Sequence, residues 1–269
     1  MEPIVVTDTP KRMVSIKLAS DELVVTETRY EVDERGPDLH VHHLHVDCFY
    51  VLEGTLTLSL EDGEHTVGPE AFVLVPPDVV HTFRNDGPAT LRYYNLHAPG
   101  LGFDRYLQGL YDEEFKTPFD QHPPPEDGGA DPAGVLVRRR GTAEAVEVSG
   151  NRIAFLAEAE ETGGALGAIE FTAPQAFAGP PAHIHRGFHD IVVVLEGTGD
   201  VQLGDTVERV GPSAFVSASP GIAHTFSNPT AAPLRFLNLY APGGFERFFR
   251  ERAAAPDAEL TSRYDWERV

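Results

Sequence analysis

His40 and His42 lie two residues apart, Asp47 follows five residues later, and His81 stands in a later run, "VPPDVVHTFRN". Further along the chain His183, His185, Asp190 and His224 recur in the same order. In an extended strand, residues i and i+2 share a face and lie about 6.6 Å apart, so the imidazoles of each His-x-His pair can lean over one point. The segment "HLHV" before Asp47 breaks strict alternation and requires a bend, from which the carboxylate can return to the same face. His81 follows a Pro-Pro-Asp turn, and His224 follows the Pro-Gly turn of "SASPGIAHTFSN". Three imidazoles and a carboxylate make an N3O set. It suits a divalent transition metal such as Fe, Mn, Ni, Co or Zn, whereas Ca and Mg want oxygen ligands.

The frame that positions these residues is a duplication. "HVHHLHVDCFYVLEGT" and "HIHRGFHDIVVVLEGT" share one register, with Gly54 matching Gly197 at a separation of 143. The separation also pairs Glu27 with Glu170, Gly36 with Gly179, Asn85 with Asn228, Asn95 with Asn238 and Pro99 with Pro242. A repeat this long signals tandem domains rather than a short-period solenoid. His97 and Tyr240 take matched places in "NLHAPG" and "NLYAPG", where they and the paired Asn95 and Asn238 are candidates to line a pocket or cap a strand end. His43, His45 and His189 have no counterpart in the other copy and read as polar loop or solvated mouth positions.

A length of 269 residues accommodates two ordinary domains, and 25 Gly and 22 Pro among short apolar runs favour an all-β fold. The expected organisation is an N-terminal domain over 1–118, a Pro-, Gly- and acid-rich linker over 119–145 containing a solvated His122, and a C-terminal domain over 146–269. Each domain is expected to end in a short amphipathic helix, after "APGLGF" and "APGGFE". A formal charge of -21 would repel a phosphate backbone, which argues against nucleic acid as a partner. Without a basic, apolar leader or a span of about 18 apolar residues, the chain is expected to be cytoplasmic and away from membranes. Cys48, the only cysteine, reads as core. The three arginines at 138–140 read as surface or interdomain salt-bridge partners.

With both motifs in view, the chain resembles the cupins. The first motif is "GPDLHVHHLHVDCFYVLEG" and "GPPAHIHRGFHDIVVVLEG", and the second is "PPDVVHTFRN" and "SPGIAHTFSN". The resemblance spans about Val24–Phe103 and Ile153–Phe248, and two copies make a bicupin. It implies two tandem jelly-roll β-barrels, each with up to one metal at its centre, and leaves open whether barrels pair within the chain or across a homodimer. Both copies carry Asp where the family has Glu, an arm shorter by about 1.5 Å. Either the backbone moves inward, the Asp binds through water, or it orients an imidazole instead. Asp78 also replaces the turn glycine present as Gly221, and Ser219 replaces the leading proline present as Pro76.

The match extends to the quercetin-dioxygenase-like branch, in "GPPAHIHRGFHD", "AHTFSN" and "APGGFERFF". That branch implies a metal-dependent dioxygenase acting on an enolic or flavonol-like small molecule, with Asp47 and Asp190 as general bases. The alternatives are a non-redox isomerase, lyase or decarboxylase, and a non-enzymatic small-molecule-binding protein.

Overall fold

A computed structural model describes residues 3–112, 114 and 117–269. The chain divides into two units, Met1–Thr142 and Ala143–Val269. The first contains β1 (Ile4–Asp8), β2 (Arg12–Ala19), β3 (Val24–Tyr30), β4 (Val46–Glu53), β5 (Leu56–Leu60), β6 (Gly63–Val67), β7 (Ala71–Val75), β8 (His81–Arg84), β9 (Leu91–Ala98), α1 (Phe103–Gly109) and β10 (Leu136–Arg139). The second contains β11 (Ala145–Val148), β12 (Asn151–Ala157), β13 (Gly167–Ala173), β14 (His183–Ile184), β15 (His189–Glu196), β16 (Gly199–Leu203), β17 (Thr206–Val210), β18 (Phe215–Ala218), β19 (His224–Ser227), β20 (Leu234–Ala241), α2 (Glu246–Ala254) and β21 (Glu267–Arg268).

In the first unit a sheet ordered β1-β2-β3-β9-β4-β7-β10 accompanies one ordered β6-β5-β8; in the second, β11-β12-β13-β20-β15-β18 accompanies β17-β16-β19-β14-β21. The fold is all-β and jelly-roll-like, with two open sheets per unit in place of one closed barrel. The central strands account for this arrangement. β4 (VDCFYVLE) and β20 (LRFLNLYA) are apolar and buried over most of their length, as strands covered on both faces must be. The edge strand β6 (GEHTV) instead exposes its first four residues. Phe49 and Val51 of β4, Leu56 and Leu58 of β5, and Phe83 of β8 join one apolar cluster, so the core of the first unit lies between its sheets. Cys48 is buried too, as expected, on the face of β4 opposite Phe49.

The turns after β4 and β15 explain the glycine that closes the first motif. Gly54 and Gly197 have φ of 74° and 82°, and an added Cβ would lie 2.3 Å from the Thr90 carbonyl oxygen and 2.4 Å from that of Pro233. Only glycine fits both demands.

The stretch 119–145, expected to be a linker, packs into the first unit over most of its length. β10 pairs antiparallel with β7, and Val135 and Val137 pack on the core. Val41 and His122 exchange main-chain hydrogen bonds of 2.9 and 3.0 Å. Composition marked this stretch as irregular, but a few apolar residues and backbone pairing suffice to dock it. Arg140 forms a surface pair with Glu70 at 2.8 Å.

Candidate metal centres

Both units assemble the predicted set of three histidines and an aspartate, with one ligand atom from each lying within 4.8 Å of the others. His40 and His81 form a cross-strand pair, and β14 and β19 pair His183 with His224 in the same way. Asp47 sits on β4 between His97 of β9 and Val75 of β7, and Asp190 sits on β15 between Tyr240 and Ala218. The turn before His81 is pinned by the Asp78 N–H donating to the His42 carbonyl at 2.7 Å, and Gly221 does the same to His185 at 2.6 Å. Asp78 adopts φ 67° against 81° for Gly221, so the missing glycine leaves the turn intact. Aspartate is among the residues that tolerate this conformation.

The imidazoles are oriented by their outer nitrogens. Nδ1 of His40, His81, His183, His185 and His224 donates to the carbonyls of Asp38, Val79, Pro181, Asp265 and Ile222 at 2.6–2.9 Å, and Nδ1 of His42 donates to that of Asp120. A proton on Nδ1 leaves a bare lone pair on Nε2 of a neutral ring. His40 Nε2 and His42 Nε2 nevertheless stand 3.2 Å apart, and the buried Nε2 atoms of His185 and His224 have no hydrogen-bond partner. Lone pairs gathered this closely repel unless a cation lies among them. Ligands about 2.1 Å from one ion, at angles of 90–110°, would lie roughly 3.0–3.4 Å apart. The observed separations include 3.3 Å for His81 Nε2 to Asp47 Oδ2 and 3.4 Å for His224 Nε2 to Asp190 Oδ2. The residues therefore fit a divalent transition metal in each unit.

Electrostatics agree with this for the His-x-His pairs. Burial lowers His40 and His183 to about 4, reinforced by the neighbouring His81 and His224, and it lowers His42 and His185 as well. These rings are neutral at neutral pH, as ligands must be. Burial alone would raise Asp47, but His97 and His81 overcome it and hold the carboxyl below its ordinary range. Asp190 is likewise lowered despite burial, chiefly by His224. His224 lies above its ordinary value, because contact with Asp190 outweighs burial.

Asn95 and Asn238, candidates to line a pocket or cap a strand end, each donate from Nδ2 to Oδ1 of the aspartate at 2.5 Å. Oδ2 is left facing the imidazoles. His97 Nε2 and the Tyr240 hydroxyl approach the Asn95 and Asn238 Oδ1 atoms at 3.1 and 2.8 Å, so the matched pair shares one task, steadying the amide.

Sequence reasoning missed a clasp. Asp120 accepts from the His43 and Leu44 N–H groups, at 3.1 and 2.7 Å, and from His45 Nδ1 at 2.9 Å. Asp265 accepts from the Arg186 and Gly187 N–H groups, both at 2.7 Å. "PFDQH" and "RYDWE" carry the signal, offset by 145 rather than 143 because the segments between differ in length. His45 also departs from expectation. It is buried, not solvated, with its ring 4.1 Å from that of His42 and its Nε2 2.9 Å from His97 Nδ1. Phe188 holds the matching place, stacked 4.3 Å from His185, so the position needs a ring more than a histidine. His43 is exposed and His189 partly buried on β15.

Each site opens on a cavity, about 300 Å³ in the first unit and about 330 Å³ in the second. Fold and site together define a duplicated jelly-roll protein with one candidate metal centre per copy.

The chain belongs to the cupin family: the cupin domain model matches residues 26–97 and again 170–240, together more than half of the chain. Quercetin 2,3-dioxygenase of Bacillus subtilis (strain 168) is 32% identical over 83 residues, which are 31% of this chain and 23% of that protein. This chain thus aligns with less than a quarter of that relative. Among solved structures, AerE of Microcystis aeruginosa superposes with a TM-score of 0.61 at 12% identity, over 89% of this chain and 96% of that one. Oxalate decarboxylase of Lactobacillus farciminis, in a formate complex, gives 0.63 at 9% identity, over 90% and 85%. Procruciferin, an 11S globulin of Brassica napus, gives 0.62 at 12%, over 90% and 84%. At these identities the likeness concerns the fold alone. Among the described residues no helix is long and apolar enough to cross a membrane.

Proposed function

We propose that the protein is a metal-dependent dioxygenase acting on an enol-type small molecule, with His40, His42, Asp47 and His81 as one ligand set and His183, His185, Asp190 and His224 as the other. The observation that carries this reading is the divided carboxylate. Asn95 and Asn238 occupy one oxygen of each aspartate, while the other stands 3.3–3.4 Å from an imidazole nitrogen. When bound, the metal supplies Lewis acidity and a template for the substrate's enolic oxygen. Asp47 and Asp190 accept the enol proton on Oδ2. The asparagines keep that oxygen aimed inward, and the buried walls exclude water. Preservation of the full set in both copies, and the partial likeness to quercetin 2,3-dioxygenase, support the reading.

Metal analysis of the purified protein, followed by oxygen-electrode measurements with flavonols and 1,3-diketones, tests it. Fe, Mn, Ni or Co near one per unit, with oxygen consumed, is expected. Metal-loaded protein that consumes no oxygen with any of them overturns the dioxygenase; zinc alone points to an isomerase, lyase or decarboxylase.

A further inference from the structure

The two units keep one set of candidate ligands and differ in the walls around it. Strand register makes the comparison residue by residue. Thr28 of β3 lies opposite Tyr93 of β9, and the matched pair in the second unit is Phe171 opposite Phe236. In the first unit Thr28, Tyr30 and Tyr93 bring three hydroxyl-bearing side chains to the cavity, beside Phe83 and Phe103. In the second the Phe171 and Phe236 rings stack 5.0 Å apart at 13°, and Ala173 takes the place of Tyr30. The clasp segment differs likewise. Gln121 lines the first cavity, whereas Trp266 lines the second, stacked 5.0 Å from His183 at 23°. Charge has also moved. Arg12 lines the first cavity with its guanidinium paired to Glu34 at 2.7 Å. Arg252, in the last turn of α2, lines the second. Its Nη1 donates to the Pro256 and Ala258 carbonyls, which holds the cation beside an otherwise apolar wall.

We propose that the units bind different molecules: the second takes an aromatic, enolisable acid, its ring between Phe171 and Trp266 and its carboxylate toward Arg252, while the first takes a hydroxylated, polar one. This rests on the reading of each site as a substrate site, and it adds a division of labour between the two. An apolar wall gains from burying a ring, and flat rings favour stacked partners. The hydroxyls lining the first cavity would lose hydrogen bonds to a bare ring.

Phenylpyruvate, an enolisable aromatic keto acid, is the probe for the second cavity, and 2-oxogluconate for the first. Trp266 is the only tryptophan, so its fluorescence reports on the second cavity, and calorimetry on the metal-loaded full chain gives Kd for both probes. Phe171→Thr is expected to weaken phenylpyruvate by about tenfold or more, the loss of a buried ring, with 2-oxogluconate unchanged. Thr28→Phe is expected to do the reverse. Should Phe171→Thr fail to fold, Trp266→Ala, read by calorimetry, is expected to weaken phenylpyruvate in the same sense. Phenylpyruvate weakened by Thr28→Phe but by neither second-unit variant overturns the assignment, and so does an absence of saturable binding. Selective binding without oxygen consumption would refute the dioxygenase and leave the division of substrates standing.

Discussion

Replacing Asp120 by Asn tests whether the clasp positions the first site. The side chain of Asp120 is 6% exposed and accepts from two main-chain N–H groups and from His45 Nδ1, while its own carbonyl receives His42 Nδ1. An amide of the same shape keeps one acceptor oxygen and turns an NH2 toward one of those donors. Hydrogen bonds to a charged acceptor contribute about 1.5–3 kcal/mol each, so losing one destabilises the first unit by about that much and losing two by roughly 3–6 kcal/mol. The segment bearing His42 loosens with it. Loss of groups that orient a ligand in this way typically weakens metal binding by about 10–100-fold. Apo-protein titrated with metal against a competing chelator should therefore show one site weakened by that factor and one unchanged. Asp265→Asn should mirror this in the second unit with a smaller effect, since its carboxylate holds two N–H groups and no ring. If Asp120→Asn kept both sites at wild-type affinity, the clasp would be a packing feature and the argument would fail.

His40→Ala and His183→Ala are each expected to remove about one metal per chain and leave the other unit loaded; unchanged content in both, by elemental analysis, would refute the ligand sets. Acid should unfold the metal-free protein early. With His40 and His183 lowered from 6.5 to about 4, the unfolded chain takes up protons first as pH falls, so stability present above 6.5 is lost between 6.5 and about 4. Each imidazole contributes on the order of 3 kcal/mol to this loss, and urea titrations at pH 7 and 4.5 would measure it. Gly197→Ala forces a Cβ against the Pro233 carbonyl at φ 82°. It is expected to cost about 1–3 kcal/mol, seen as a lowered Tm, and an unchanged Tm would mean that the turn relaxes.

The legible part of the site was the part that repeats in register. His-x-His, the aspartate and the later histidine keep a separation of 143, and each spacing converts directly into strand geometry. Asp120 and Asp265 were hidden because their partners lie 75–80 residues away and their own separation differs. His45 misled for the opposite reason. It looked like surplus polar surface, since its counterpart is Phe188, yet both rings cover the second imidazole of the pair. The docking of 119–142 escaped detection because backbone pairing with β7 and Val41 leaves little mark on composition.

The short arm of the aspartate was the sharpest difficulty raised by the sequence, and the geometry of both units bears on it. Asp47 Oδ2 stands 3.3 Å from His81 Nε2, nearly the 3.2 Å that separates His40 Nε2 from His42 Nε2. The carboxylate thus approaches one imidazole nearly as closely as two imidazoles approach each other, while His42 Nε2 lies 3.9 Å from it. Asp190 repeats the arrangement at 3.4 Å from His224. In both units the strand bearing the aspartate is fixed by pairing on either side, and an asparagine from the adjacent central strand holds the outer oxygen. A side chain one methylene shorter, steadied in this way, loses less rotamer freedom than a glutamate would. The substitution therefore exchanges reach for rigidity, which would suit the proposed role of a base that presents one oxygen in one direction.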